Sequence, residues 1–274
     1  MKIKAGGTRT NYELKGEGEC LVLIHGFSDN LKMWYNQVPK LSEKYKVLVY
    51  DVRGHGQTES DDNGFSIDLF ADDLHELTEA LKIEKMHVLG FSMGGRIGFS
   101  FALKHPEKVK CLILANSGIP GPSLQRSEQQ LMEMAEKQEL LRKLLETCDI
   151  EAISEIMTVY SFSPGIKDRM PEVFHKYKTL KLDNDPIHYV AIMKAIVDNM
   201  ENPPDLTQLK CPALIIVGEH DAFMSLDVAK SMKIAMPDAK IEYLPTGHAA
   251  ALEMPGKFNH AVIEFLKNQT HGMS

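Results

Sequence analysis

Short, mostly apolar runs of the chain alternate with segments of helical periodicity. The clearest runs are Cys20–Ile24, Val47–Tyr50, Met86–Leu89, Cys111–Ala115 and Ala213–Val217, with a weaker one at Ile241–Leu244. Runs of this length are typical of strands that are buried on both faces. Residues 2–18 instead alternate and contain several glycines, which predicts an antiparallel hairpin or two short strands at the sheet edge. The pattern predicts an α/β fold with a mostly parallel sheet covered by helices.

Helices are predicted between these runs. Ser66 is a suitable N-cap for a helix that ends near Leu81, because apolar residues recur along one face of this segment. The other predicted helices are Arg96–Lys104, which Pro106 ends, Ser225–Ile234 and Lys257–Lys267.

The stretch from residue 120 to 205 has a different pattern. It contains no strand-like run, is rich in Glu, Lys, Gln, Leu and Met, and predicts about four helices. Prolines stand at both of its ends. A helical block between two strands of one sheet is best interpreted as a cap, or lid. We therefore predict a core of residues 1–119 and 206–274 and a helical cap insertion of residues 120–205.

The composition argues against nucleic acid and membranes as partners of this protein. The 274 residues carry a formal net charge of −7 and no basic block, which gives no electrostatic reason to bind nucleic acid or an anionic membrane. The four cysteines lack zinc or redox spacing, and no apolar run is long enough to span a bilayer. We expect a soluble, cytoplasmic monomer or homodimer that acts on a small molecule, with no metal and no cofactor.

The strongest chemical signal is Gly90-Phe91-Ser92-Met93-Gly94. It matches the Gly-x-Ser-x-Gly nucleophile elbow, in which a serine is presented on a sharp turn between a strand and a helix. The flanking segments predict that strand and that helix. A second loop, His25-Gly26-Phe27, follows the first buried run. The backbone N–H groups of Phe27 and Met93 are expected to form an oxyanion hole, and His25 is expected to hold its loop by hydrogen bonds.

The acid and base are expected after later strands. Asp221 follows the run Ala213–Val217, and His248 follows Ile241–Leu244, at the sheet edge where loops of parallel strands meet. Asp221 would orient the imidazole of His248 and stabilise its charged form. Glu219, Asp227 and Asn116 are competing candidates for the acid, although Asn116 cannot ionise, and His220 is expected only to neighbour the acid.

Together these motifs resemble the α/β-hydrolase superfamily, in its group of small capped esterases, enol-lactonases and carbon–carbon bond hydrolases. The resembling segments are His25–Phe27, Asp51–Gly56, Gly90–Gly95, Gly218–Asp221 and Gly247-His248. The resemblance implies an eight-stranded, mostly parallel sheet with a cap after the sixth strand. It also implies the triad Ser92, Asp221 and His248. The carbon–carbon bond hydrolases usually carry tryptophan directly after the base, whereas this chain has Ala249.

The sequence thus predicts a carboxylic ester hydrolase that forms an acyl-enzyme on Ser92. An enol-lactonase or a carbon–carbon bond hydrolase with the same triad is the nearest alternative, and a ligand receptor of hydrolase fold is an alternative of another class. Trp34 and Phe27 are expected to border the acyl side of the site. The turn at Asp51 is expected to be a structural loop and not a metal site.

Overall fold

A computed structural model describes residues 1–60 and 64–270, with Thr270 described by its backbone alone. Eight strands form one sheet in the order β1-β2-β4-β3-β5-β6-β7-β8. Strands β1 and β2 are antiparallel, β2 is antiparallel to β4, and the remaining pairs are parallel. The strands are β1 Lys2–Ala5, β2 Thr8–Lys15, β3 Cys20–Ile24, β4 Lys46–Tyr50, β5 Met86–Phe91, β6 Val109–Ala115, β7 Ala213–Gly218 and β8 Lys240–Leu244. The predicted fold class is confirmed.

The apolar strands lie in the middle of the sheet. Every residue of β3, β5 and β7 is buried, whereas β2 and β8 contain exposed positions. Within β3, Val22 and Ile24 pack into one apolar cluster, and Leu21 and Leu23 pack into the other, on the opposite side of the sheet. This division follows from the alternation of side chains along a strand. It explains why β3 is apolar at every position.

Helices cover both faces of the sheet. The α-helices are α1 Gln37–Leu41, α2 Ile67–Ala80, α3 Met93–Lys104, α4 Glu128–Glu146, α5 Ile150–Ser161, α6 Ile166–Arg169, α7 Pro171–Lys181, α8 Tyr189–Glu201, α9 Leu226–Ala235, α10 Ala250–Glu253 and α11 Pro255–Thr270. Short 3-10 turns occur at Leu31–Trp34, Pro186–His188 and Leu206–Gln208. As predicted, Ser66 caps α2, and its hydroxyl accepts a hydrogen bond of 3.0 Å from the Leu69 N–H. No helix among the described residues is both long enough and apolar enough to cross a membrane.

Residues 120–205, here called the helical segment, contain helices α4 to α8 and no strand; all of these residues are described. The pattern predicted about four helices, and the additional one, α6, is a single turn of four residues. Other helices missed from the sequence are also short: α1 has five residues and α10 has four. A helix of one turn does not repeat its apolar positions and so leaves no periodicity to detect.

Candidate functional site

Ser92 lies on a strained turn between β5 and α3. Its backbone has φ of 53° and ψ of −118°, a conformation that residues other than glycine rarely adopt. The turn is fixed by its neighbours, because the Ser92 N–H donates to the Ala115 carbonyl at 3.0 Å and the Ser117 hydroxyl donates to the Ser92 carbonyl at 2.7 Å. The side chain is partly exposed, whereas both flanking residues are buried. The predicted elbow is therefore present, with its serine accessible.

Close backbone approach explains the glycines of the elbow. A Cβ atom at Gly90 would overlap the backbone of Gly94, and one at Gly94 would overlap the carbonyl oxygen of Ile24. Ile24 ends β3, and in the sheet it is paired with Gly90. The elbow is thus pressed against the end of β3, and only glycine leaves room for that contact.

His248 and Asp221 form a buried hydrogen-bonded pair. The Nδ1 atom of His248 lies 2.8 Å from Oδ2 of Asp221. The other carboxylate oxygen accepts the backbone N–H groups of Phe223 at 2.8 Å and Met224 at 3.0 Å. Nδ2 of Asn116 donates to Oδ2 at 3.0 Å. Four groups therefore hold this carboxylate in one orientation.

The surroundings keep Asp221 ionised. Burial by itself raises the pKa of a carboxyl group, but the facing imidazole of His248 and the hydrogen bonds outweigh burial and lower the pKa of Asp221 below its usual value. The side chain of Asp221 is 0% exposed, and that of His248 is 6% exposed. The competing carboxylates, Glu219 and Asp227, are exposed, and so is His220. The structure therefore pairs His248 with Asp221.

Four loops bring these groups to one edge of the sheet. The Ser92 N–H is bonded to the last residue of β6, and the next residue, Asn116, reaches the carboxylate of Asp221. The ring of Phe91 packs against the His248 imidazole with 4.8 Å between centroids. The loops after β5, β6, β7 and β8 thus converge, as parallel strands require.

The loop after β3 lies beside this edge. His25 holds it as predicted, because its Nδ1 atom lies 2.8 Å from the Gly26 carbonyl and its Nε2 atom accepts the Val52 N–H at 2.9 Å. Burial lowers the pKa of His25, which favours the neutral ring that this acceptor role needs. The ring of Phe27 packs on Tyr189 of α8, with 4.9 Å between centroids. The helical segment therefore contacts the predicted oxyanion loop.

Asp51 has a structural role in the turn after β4. The carboxylate of Asp51 accepts the backbone N–H groups of Leu31 and Gln57, each at 2.8 Å, which is the structural loop expected from the sequence. Within residues 1–60 and 64–270, no group of three His, Cys, Asp or Glu side chains is placed to hold a metal ion.

Trp34 is 0% exposed and belongs to the apolar cluster that also contains Leu21 and Leu23 of β3. The expectation that it borders the site is corrected, since it offers no surface to a substrate in this conformation.

The sequence did not predict the roles of three residues of the site. Asn116 is a candidate for the acid in the sequence, whereas in the structure its amide donates to the carboxylate of Asp221. The ring of Phe223, 46% exposed, packs against His248 with 4.8 Å between centroids. The buried Glu253 accepts the Gly247 N–H at 2.7 Å and the Ser163 N–H at 2.9 Å, so it ties the His248 loop to the helical segment. Only Asn116, at a strand end, had a sequence signal.

Comparisons with known proteins identify the family of this chain. The chain is 30% identical to a 2-hydroxy-6-oxononadienedioate/2-hydroxy-6-oxononatrienedioate hydrolase of Paraburkholderia phymatum, over 97% of this chain and 94% of the relative. The crystal structure of an enol-lactonase from Burkholderia xenovorans matches with a TM-score of 0.86 at 25% identity, covering 97% of this chain and all of that one. A thermophilic esterase from Thermogutta terrifontis also matches, with a TM-score of 0.86 at 25% identity over 98% of each chain. Residues 19–255 match the family described as the alpha/beta hydrolase fold. The chain therefore belongs to the α/β-hydrolase family and is a hydrolase.

Proposed function

We propose that this hydrolase cleaves carboxylic ester bonds, open-chain or within an enol-lactone, through an acyl-enzyme on Ser92. The observation that supports this best is the strained, accessible serine at the sheet edge that also holds the buried His248–Asp221 pair. Such a turn is costly for a residue other than glycine and is typically retained where function requires it. An esterase and an enol-lactonase among the similar structures support the same type of bond.

The proposed reaction uses only groups of this chain. Ser92 attacks the ester carbonyl while His248 takes its proton, and Asp221 stabilises the resulting imidazolium. The backbone N–H groups of Phe27 and Met93 hold the oxyanion; Met93 is the first residue of α3, where N–H groups lack partners within the helix. His248 then protonates the leaving alcohol. A water molecule, deprotonated by the same imidazole, releases the acid and restores Ser92.

We also propose that the helical segment is the cap of this site. Two of its parts touch the catalytic loops: the Ser161 carbonyl accepts the Ala249 N–H at 2.6 Å, and Asn184 donates to the Ser28 carbonyl at 3.1 Å. The segment is thus bonded to the loop of the base and to the loop of the predicted oxyanion hole. Its inner surface would determine which substrates fit.

A second candidate function is hydrolysis of a carbon–carbon bond next to a ketone. It is favoured by the 30% identity to the 2-hydroxy-6-oxononadienedioate hydrolase. Ala249, where such hydrolases usually carry tryptophan, argues for the ester reaction. Release of a coloured dienoate product from a ring-cleavage compound, faster than any ester is hydrolysed, would favour the second candidate.

Hydrolysis of p-nitrophenyl esters, from acetate to laurate, tests the proposed function. We expect turnover of short or medium esters, and a loss of about 10⁴-fold or more in Ser92→Ala. Ser123→Ala is the matched control, because this serine is exposed and lies in the helical segment. An inert wild-type protein, or a Ser92→Ala variant as active as the control, would overturn ester hydrolysis at Ser92.

A further inference from the structure

Ser28 is a strained residue in the loop after β3. It directly follows Phe27, whose N–H group is the predicted oxyanion donor, and its backbone has φ of 60°. Residues other than glycine rarely adopt this left-handed conformation, and it persists only where the surrounding structure enforces it. Ser28 is also buried, at 1% exposure. The groups that contact Ser28 must therefore hold it in this conformation.

Every polar group of Ser28 has a partner. Its N–H donates to Nε2 of His55 at 3.2 Å. Burial lowers the pKa of His55 well below its usual value, which favours the neutral ring that this acceptor role needs. The Ser28 carbonyl accepts Nδ2 of Asn184 at 3.1 Å, and the hydroxyl accepts Nζ of Lys181 at 3.1 Å. One partner thus belongs to the core and two belong to the helical segment.

The two residues after Ser28 are bound to the same part of the helical segment. Asp29 forms a buried ion pair with Lys181, and both side chains are 2% exposed. Nδ2 of Asn30 donates to the Leu180 carbonyl at 2.8 Å. Three consecutive residues of the oxyanion loop are therefore bonded to the end of α7 or to the turn that follows it.

The partners from the helical segment are themselves fixed. Lys181 is the last residue of α7, and its carbonyl accepts Nδ2 of Asn184 at 3.0 Å. The Oδ1 atom of Asn184 accepts the Gly56 N–H at 2.6 Å, in the turn after β4. Both residues are buried. Lys181 and Asn184, here called the clamp, therefore form a rigid support for the oxyanion loop.

We propose that the clamp positions the oxyanion hole: it holds Ser28 in its strained conformation and thereby fixes the N–H group of Phe27. This role rests on the proposed function. A hydrogen-bond donor stabilises an oxyanion best when it needs no rearrangement as the negative charge develops. The helical segment then contributes to the rate of the reaction as well as to the choice of substrate, and neither clamp residue has to touch the substrate.

A clamp that only stabilises the fold and a clamp that positions Phe27 differ in their effects on kinetics. Loss of stability alone leaves the folded enzyme with unchanged kcat and unchanged affinity for a transition-state analogue. A displaced donor slows both formation and hydrolysis of the acyl-enzyme, because each step passes through an oxyanion. kcat then falls whichever of the two steps limits the rate.

Two variants each remove one contact of the clamp: Ser28→Ala and Asn184→Ala. With p-nitrophenyl butyrate, we expect kcat and kcat/KM to fall together, by about 10-fold or more, since a misplacement of about 1 Å can cost roughly 10²-fold. Lys32→Met is the matched control, because it removes an exposed ion pair with Asp183 that joins the same two regions. It should leave both constants unchanged. Circular dichroism verifies that each variant is folded at the assay temperature.

Inhibition by 1,1,1-trifluoro-2-pentanone gives a second readout. The hydroxyl oxygen of Ser92 adds to the ketone carbon, His248 takes the proton, and the electron pair of the carbonyl double bond moves to its oxygen. The product is a tetrahedral adduct whose oxyanion occupies the oxyanion hole, as in the transition state. We expect the inhibition constant to rise about 10-fold or more in both clamp variants and to be unchanged in Lys32→Met.

The outcomes separate the clamp from the proposed function. If the wild-type protein hydrolyses the ester and binds the ketone, but the clamp variants match Lys32→Met in both readouts, the positioning role is wrong and the ester reaction stands. If the wild-type protein neither hydrolyses the ester nor binds the ketone, the ester reaction is wrong and the positioning role is overturned with it. If Asn184→Ala does not fold, Ser28→Ala decides by the same two readouts.

Discussion

Helices α3 and α4 show how differently the two parts of this molecule are built. Of the 12 residues of α3, ten are buried, and the helix packs against the sheet directly behind Ser92. In α4, which has 19 residues, Leu145 is the one buried residue. Apolar packing thus fixes the elbow, whereas the first helix of the helical segment is largely exposed to solvent. Rigid packing is expected to preserve catalytic geometry, and an exposed insertion is freer to vary.

Buried polar contacts, in addition to apolar packing, attach the helical segment to the core. The ammonium of Lys181, at the end of α7, donates to Ser28 at 3.1 Å and forms an ion pair with Asp29 in the loop after β3. Both charged side chains are 2% exposed. On the other side, Glu253 bridges Gly247 and Ser163. We infer that the core positions the reacting groups, and that a few buried polar contacts together with apolar packing position the helical segment.

The largest expected effect is on catalysis within the core. Asp221→Asn removes the charge that stabilises the imidazolium and favours the wrong imidazole tautomer, so kcat should fall about 10⁴-fold with little change in stability. Glu219→Gln is the control, because this neighbouring carboxylate is exposed. Measured ester hydrolysis that falls equally in both variants would show that His248 is not oriented by Asp221.

The next effect concerns the contact between the two parts. Lys181→Met leaves Asp29 as a buried charge without its partner and should lower the free energy of unfolding by about 3–5 kcal/mol. Lys32→Met removes an exposed ion pair with Asp183 that joins the same two regions, and should cost less than about 1 kcal/mol. Urea unfolding measures both. Equal losses would mean that burial of the Lys181–Asp29 pair does not matter.

A smaller effect is expected from the backbone contact at the elbow. In Gly94→Ala the new Cβ overlaps the Ile24 carbonyl, so the elbow must shift at a cost of about 1–3 kcal/mol. Gly256→Ala in α11 has nothing within 4 Å of the new Cβ and should leave stability unchanged or raise it by up to about 1 kcal/mol. Thermal melting compares the two, and similar melting temperatures would contradict the close approach of elbow and strand.

The sequence was most informative where one local pattern determines the structure. The bounds of β3 were predicted to the residue, because an uninterrupted apolar run is needed for a strand with both faces buried. The elbow was recognisable because its glycines and serine lie within five residues. The pairing of Lys181 with Asp29 was not predictable, since 152 residues separate them and neither has a local signal. Trp34 was misplaced for the same reason: burial depends on distant packing.

The role of Ser92 is tested most directly by identifying the residue that a serine-reactive reagent phosphonylates. The protein would be treated with a fluorophosphonate, which reacts with activated serines, and its peptides would be analysed by mass spectrometry. We expect one adduct, on the peptide that contains Ser92, together with loss of esterase activity. Ser92→Ala should give no adduct. An adduct on another residue, or full activity in protein that is completely modified at Ser92, would show that Ser92 is not the nucleophile.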